Sequence, residues 1–348
     1  MQQADKEPTM TGGRHEAALW KPAAGGAVDC FLCAHRCHIA PGKRGVCRVR
    51  ENVGGGLATL VYGRAVAQHV DPIEKKPLYH FLPGSASYSI AAVGCNFQCG
   101  FCQNWQISQY PRKAGGEIPG TEATPEELVA AARRLRCESI SYTYTEPTIF
   151  FEYARDTGVL ARQAGLRNVF VTNGFMTPEA IAEMAGWLDA ANVDLKAWRD
   201  DFYREVCKGR LEPVKDSIRR LHEAGVHVEV TTLLVTGQND AAEDLKGIAG
   251  FLASISPDLA WHVSRYHPDY EMTGPPPTPM ETIDLAVGIG REAGLRYVYG
   301  GNVAGHSDTV CPSCGETVVR RTGMTVLSTK LRGAACGHCG AALAIVVG

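Results

Sequence analysis

The chain lacks any uninterrupted apolar run near the twenty or so residues that a membrane-spanning helix needs. Its first stretch, Met1 to Glu16, is polar and mixed in charge, with no apolar segment able to serve as the core of a secretory signal. It also lacks a charge imbalance. With a formal net charge of −2 and a pI near 6.6, there is no electrostatic case for general nucleic-acid or membrane-surface binding, although a local basic groove stays open. These absences point to a cytoplasmic protein with no membrane partner. They also argue against disulfides, because no export signal accompanies the thirteen cysteines.

The cysteines are instead grouped for metals. All but Cys137 and Cys207, which read as core or incidental thiols, fall into three sets with metal-ligand spacing. The central set lies in Gly94-Cys95-Asn96-Phe97-Gln98-Cys99-Gly100-Phe101-Cys102-Gln103-Asn104-Trp105, following an apolar strand at Tyr88 to Val93. Cys95, Cys99 and Cys102 stand as C-x3-C-x2-C, and no fourth cysteine follows in register. A zinc site closes with four ligands or recruits His and carboxylates, and none of these occurs between Gly94 and Trp105. Three thiolates on one loop suit a 4Fe–4S cubane whose fourth iron takes a non-protein ligand. The motif resembles the radical S-adenosylmethionine (SAM) superfamily.

Upstream, Cys30, Cys33, Cys37 and Cys47 occupy eighteen residues with turn-forming Gly and Pro between them. So short a segment needs a metal to fold it, and zinc and an auxiliary iron–sulfur cluster both accept four thiolates. His35 and His38 are alternative ligands. The run Asp71-Pro72-Ile73-Glu74-Lys75-Lys76-Pro77-Leu78-Tyr79-His80-Phe81 reads equally as a solvated connection or as a cover for the cluster loop. Downstream, Cys311, Cys314, Cys336 and Cys339 form two C-x2-C knuckles separated by twenty-one residues of strand character, a zinc-ribbon pattern.

Between these, strand-like and helix-like segments alternate. Strands are predicted at Ser139 to Thr143, Asn168 to Thr172, Ala191 to Leu195, His227 to Val235 and His262 to Tyr266. Helices are predicted at Pro125 to Arg136, Pro147 to Ala164, Pro178 to Leu188, Pro213 to Ala224, Ala241 to Ser254 and Met280 to Ala293, several opened by Pro and closed by Ala-Gly. Repeated βα units imply an α/β fold, a partial TIM-like (β/α)6 barrel with its chemistry at the C-terminal strand ends. The expected organisation is a flexible arm over 1–27, a Cys-rich metal-binding segment over 28–83, the barrel over 84–303 and a zinc-ribbon-like tail over 304–348.

The strand ends are polar: Tyr144-Thr145-Glu146-Pro147, Thr172-Asn173-Gly174, Asp194-Leu195-Lys196 and His262-Val263-Ser264-Arg265-Tyr266-His267. Asp194 and Lys196, two apart on a strand, face the same way. Arg265 and His267 are placed to meet substrate. Taken with the flanking motifs, the chain resembles the AmmeMemoRadiSam system radical SAM enzymes, relatives of the pyruvate formate-lyase activating enzymes. That resemblance implies SAM contacts from Glu146, Asn173, Asp194, Lys196 and His262, with Tyr144-Thr145 standing where most of the superfamily has two glycines. Gly174 is expected to let backbone approach the ligand. The resemblance further implies an electron donor such as flavodoxin or ferredoxin, Memo-type and AMMECR-type partners, and reductive SAM cleavage to a 5′-deoxyadenosyl radical acting on an unidentified substrate. Two other readings stand beside it: a glycyl-radical-enzyme activase, and a zinc-stapled module binding nucleic acid or protein.

Overall fold

The computed structural model describes residues 14–348. Its centre is one sheet whose strands lie side by side in chain order. They are β1 (Ala67–Pro72), β2 (Ala86–Ala91), β3 (Ser139–Tyr142), β4 (Arg167–Thr172), β5 (Ala190–Asp194), β6 (His227–Leu234), β7 (Ala260–Arg265) and β8 (Val298–Gly301). From β2 onward neighbours are parallel, whereas β1 runs antiparallel to β2. The predicted barrel is therefore present and longer than expected by one parallel strand, β8, and by the antiparallel edge β1.

Alternation along the strands explains the shape. One face carries Ile90, Ile140, Phe170, Val193, Val230, Trp261 and Val263, all buried against the helices. The opposite, inner face is small and polar: Ser87, Ser139 and Ser141 are linked by hydroxyl hydrogen bonds of 2.6 and 2.8 Å, and Asn192, Glu229, Thr231 and His262 continue the row. A barrel interior of this kind must satisfy its polar groups internally, since each unpaired one costs about 1–3 kcal/mol.

The helices fall near their expected places. Pro125–Arg134 begins with a capping box, Thr124 accepting from the Glu127 amide while the Glu127 carboxylate accepts from the Thr124 amide. Pro147–Phe150 is a tighter 3-10 turn leading into Phe151–Gln163.

Two segments differ from expectation. The arm expected over 1–27 lies outside the described residues up to residue 13, but from there the chain is ordered by pairing: His15–Glu16 with Gly56–Thr59, and Trp20–Pro22 with Val28–Cys30. The first strand takes its partner from residues some forty positions on, the second from a neighbouring hairpin arm. The charged run from Asp71 to Phe81 is no free loop. Ile73, Leu78, Phe81 and Leu82 pack against Val169 and Ala190 at the N-terminal end of the barrel interior, and the Asn192 side chain donates to the Pro77 carbonyl at 2.8 Å.

The C-terminal strands Thr317–Thr322 and Thr325–Thr329 form the expected ribbon hairpin. Arg321 from that hairpin is buried. It donates to the carbonyls of Tyr79 (2.7 Å) and Ser307 (3.1 Å) and to the Thr309 hydroxyl (2.8 Å), and pairs with Glu74 at 3.4 Å. The tail thus ties the segment after β1 to the segment after β8. No helix among the described residues is long and apolar enough to cross a membrane.

Candidate functional site

The C-terminal ends of the inner strands surround a cavity of about 870 Å³. Cys95, Cys99, Cys102, Glu146, Asn173, Asp194, Lys196 and His262 all line it, so every residue expected to hold the cluster or SAM converges on one space. Strand register accounts for part of this. Asp194, Thr231, His262 and Tyr299 are successive cross-strand partners and share the inner face.

The cysteine loop is held from several sides. Gly94, which precedes it, has φ +104°, and a Cβ there would lie 2.8 Å from Val49, so only glycine fits. The Asn173 side chain donates to Asn96 at 2.7 Å and comes within 3.8 Å of the Cys95 sulfur. Cys207 was assigned no role from sequence. Its carbonyl accepts from the Gln98 amide at 2.9 Å, and its buried thiol sits beside that of Cys99, delivered by the π-helical turn Tyr203–Cys207.

Two expected SAM contacts already have protein partners. Glu146 is buried, and its carboxylate already accepts from the Thr148 amide (3.0 Å), the Thr148 hydroxyl (2.6 Å), the Thr172 hydroxyl (2.7 Å) and the Asn173 amide (2.8 Å). Burial pushes its carboxyl up, and those donors oppose the shift. Glu146 therefore joins the ends of β3 and β4, its Oε1 accepting three of these bonds and its Oε2 one, while it lines the cavity. Asn173 is engaged too, its oxygen accepting from the Phe175 amide and its amide group donating to Asn96, and it also lines the cavity. Gly174 has φ +67°, and a Cβ there would stand 2.7 Å from Val193, so only glycine fits beside that strand.

Asp194 and Lys196 meet the expectation of a shared face, forming an ion pair of 2.7 Å. Burial alone would lower the Lys196 ammonium, but Asp194 and Cys99 overcome it and raise its pKa well above the usual lysine value. Asp194 keeps a third of its side chain exposed toward the cavity. His262 sits deeper, donating or accepting at 2.6 Å with Glu229 and stacking on Tyr299 at 5.2 Å. Glu229 is wholly buried, and burial would raise it. Hydrogen bonds from His227 and His262 outweigh that and hold it well below the usual carboxylate range. The amides of Tyr79 and His80 also donate to it, at 3.0 and 2.8 Å.

The two-glycine substitution has a structural answer. Tyr144 adopts φ +64°, the left-handed backbone that glycine takes easily and a tyrosine adopts only at a cost. Its ring is anchored: the hydroxyl donates to Asp71, and the Lys76 ammonium lies 4.7 Å above the ring. Asp71 in turn bonds Lys75 (2.8 Å) and Lys76 (2.6 Å). Glu74, Lys75, Lys76, Pro77 and Tyr79 all line the cavity from the N-terminal end of the barrel interior, so the run is neither a solvated connection nor a cover over the cluster loop. Arg265 also lines the cavity, its Nε donating to the Thr278 carbonyl at 2.8 Å. His267 does not; it is exposed and meets Gln103 at 3.1 Å.

Of the two four-cysteine sets, the ribbon is tightly drawn. The sulfurs of Cys311, Cys314, Cys336 and Cys339 all lie within 4.8 Å of one another, with Cys311–Cys339 at 3.7 Å and Cys314–Cys336 at 3.8 Å. Four sulfurs about 2.3 Å from one tetrahedral zinc stand about 3.8 Å apart, so this set fits a single zinc ion. At the N-terminal set, burial pushes the Cys33 thiol up, and Cys30, Cys47 and Cys37 add to the shift, so the four thiols are neighbours.

A family model described as the radical SAM superfamily matches residues 89–252, which contain the three loop cysteines. The uncharacterized protein MJ0808 of Methanocaldococcus jannaschii is 42% identical over 337 residues, covering 95% of this chain and 99% of that protein. The chain belongs to the radical SAM superfamily. Its enzymatic character follows from that membership. A second protein of the same organism, the uncharacterized protein MJ0674, is 28% identical over 56% of this chain and 52% of its own length. Among solved structures, a radical SAM methyltransferase from Sphaerobacter thermophilus matches with a TM-score of 0.49 and 20% identity, over 64% of this chain and 68% of that one.

Proposed function

We propose that this enzyme binds a 4Fe–4S cluster through Cys95, Cys99 and Cys102, cleaves SAM reductively and abstracts hydrogen from a small-molecule, nucleoside or partner-delivered substrate. The observation that carries the reading is the convergence of those three thiols with the Asp194–Lys196 pair and His262 on one cavity. When bound, the cluster and SAM supply one-electron cleavage of the sulfonium to methionine and a 5′-deoxyadenosyl radical.

This chain's residues divide the remaining work. Asp194 presents a carboxylate for the ribose or amino group of SAM, and Lys196 holds it in position. Glu146 and Asn173 act one step back, locking the strand ends and the cluster loop. Glu229 orients the His262 ring from beneath. The backbone of Thr143, Tyr144 and Thr145 takes the place of the glycine-rich wall, stiffened by Asp71 and Lys76.

The same reading places the enzyme in the AmmeMemoRadiSam branch, with a Memo-type or AMMECR-type partner and a flavodoxin or ferredoxin as electron source. It also keeps the four-part organisation, with the metal-binding segment and the zinc ribbon flanking the barrel. A glycyl-radical activase ranks second. Such an enzyme must admit a protein loop, whereas here Ser307 and the ribbon turn Gly323-Met324 form part of the cavity wall.

The test is anaerobic reconstitution followed by dithionite and SAM, with 5′-deoxyadenosine measured. Cys99→Ala is expected to abolish the product. Wild-type rates from that variant would end the cluster assignment, and zinc alone with no product would return the chain to the binding-module reading.

A further inference from the structure

The N-terminal cysteines sit against the catalytic loop. His35, two residues after Cys33, bonds through Nε2 to the carbonyl of Asn96, next to Cys95, at 2.9 Å. Independently, one Arg112 nitrogen donates to the carbonyl of Val46, next to Cys47, and to the carbonyl of Cys95, both at 2.8 Å. Cys33 also bridges Met176, and the Ala34 amide donates to Phe175, so the knuckle grips the turn that carries Asn173. The His35 and Arg112 seams join residues near N-terminal cysteines to the backbone of Cys95 and Asn96.

The donor set itself is informative. A single zinc requires its four sulfurs about 3.8 Å apart, and the ribbon cysteines meet this. Among the described residues theirs is the set of three or more metal-ligating groups whose ligand atoms all lie within 4.8 Å, so no three of Cys30, Cys33, Cys37 and Cys47 come that close. Cys95, Cys99 and Cys102 do not either. A cubane spreads its thiolates over separate irons and so holds them farther apart than one ion does. The N-terminal set thus has the open spacing of the catalytic trio and not the closed spacing of the ribbon.

Its surroundings supply donors to sulfur. Buried Arg50 donates to the Cys30 sulfur at 3.1 Å, and the Val46 amide to the Cys37 sulfur at 3.5 Å. Hydrogen bonds to sulfur are among the features by which proteins tune iron–sulfur clusters.

We infer that Cys30, Cys33, Cys37 and Cys47 bind a 4Fe–4S cluster, a second metal centre whose loop buttresses the catalytic cysteine loop through His35 and Arg112. The inference rests on the assignment of the catalytic trio for its comparison, and the experiment separates the two. The full chain is reconstituted anaerobically with iron and sulfide in wild-type form and as Cys95→Ala/Cys99→Ala/Cys102→Ala, and metals and sulfide are counted. The triple variant is expected to keep about four irons and four sulfides, and to show, on dithionite reduction, an electron paramagnetic resonance signal that SAM does not alter. One zinc per chain, held by the ribbon, reports that the variant has folded.

Two zinc ions and no iron in that variant would overturn the proposal, as would one zinc and no iron. If the variant keeps its iron while the wild type fails to cleave SAM, the proposed function falls and this centre stands. A second variant, Cys33→Ala/Cys47→Ala, is expected to retain the ribbon zinc while also losing part of the iron at the catalytic loop. Full occupancy of that loop would refute the buttress.

Discussion

His80 offers a sharp pH experiment. Burial is complete, and it lowers the imidazole to about 4, against an ordinary value near 6.5. The ring is held neutral between two partners: Nδ1 meets the Ala344 carbonyl at 3.0 Å and Nε2 meets the Tyr299 hydroxyl at 2.6 Å. The carbonyl can only accept, so Nδ1 carries the proton and Nε2 accepts from the tyrosine. The unfolded chain takes up a proton as pH falls through about 6.5, whereas the folded chain resists until about 4. Stability from this group is therefore present above about pH 6.5 and is lost on acidification across that window. Linkage puts the loss at about 2 kcal/mol between pH 7 and pH 5, rising to about 3 kcal/mol by pH 4. The backbone of His80 also accepts from the Val346 amide at 2.7 Å, so the C-terminal tail should loosen first. The assay is denaturant unfolding of wild type and His80→Asn at both pH values, read as the difference in slope because other groups titrate as well. Identical pH dependence in the two proteins would refute the reasoning.

Asp71→Ala leaves the buried Lys76 ammonium, already lowered to about 8 by burial against the opposing pull of Asp71, without its partner. A loss of about 3–5 kcal/mol is expected, together with a freed Tyr144 ring, and calorimetry would show it. Arg321→Ala strands the buried Glu74 carboxylate in the same way, with a similar loss expected in the same measurement. Gly158→Ala places a Cβ 2.5 Å from the Trp187 ring and should cost about 1–3 kcal/mol by overpacking, seen as a lowered unfolding midpoint. Removing the ribbon metal with a chelator should open residues 309–348 to protease while the barrel helices stay protected; an unchanged peptide map would count against a structural zinc there.

How much of this was legible in the chain follows from the range of the forces. The three cysteine sets, the helix starts and the strand alternation are local features, set by spacing and by side-chain chemistry within a few residues. They determined the superfamily, the barrel and which residues border its mouth. Two expected ligands, Glu146 and Asn173, were legible as mouth residues, but the hydrogen bonds they make were not. Glu146 accepts from Thr172 and Asn173 donates to Asn96, partners brought close only by neighbouring strands and the cluster loop. Tyr144 in place of glycine looked like a broken motif until Asp71 and Lys76 were found holding its ring. The strand at His15 and the burial of Arg321 have no local signature at all, because each depends on a partner far along the sequence. The sequence by itself therefore determined which chemistry the chain can carry. The tertiary structure decided which of its polar groups remain free to perform it, since a buried donor or acceptor binds whatever partner the fold brings within reach.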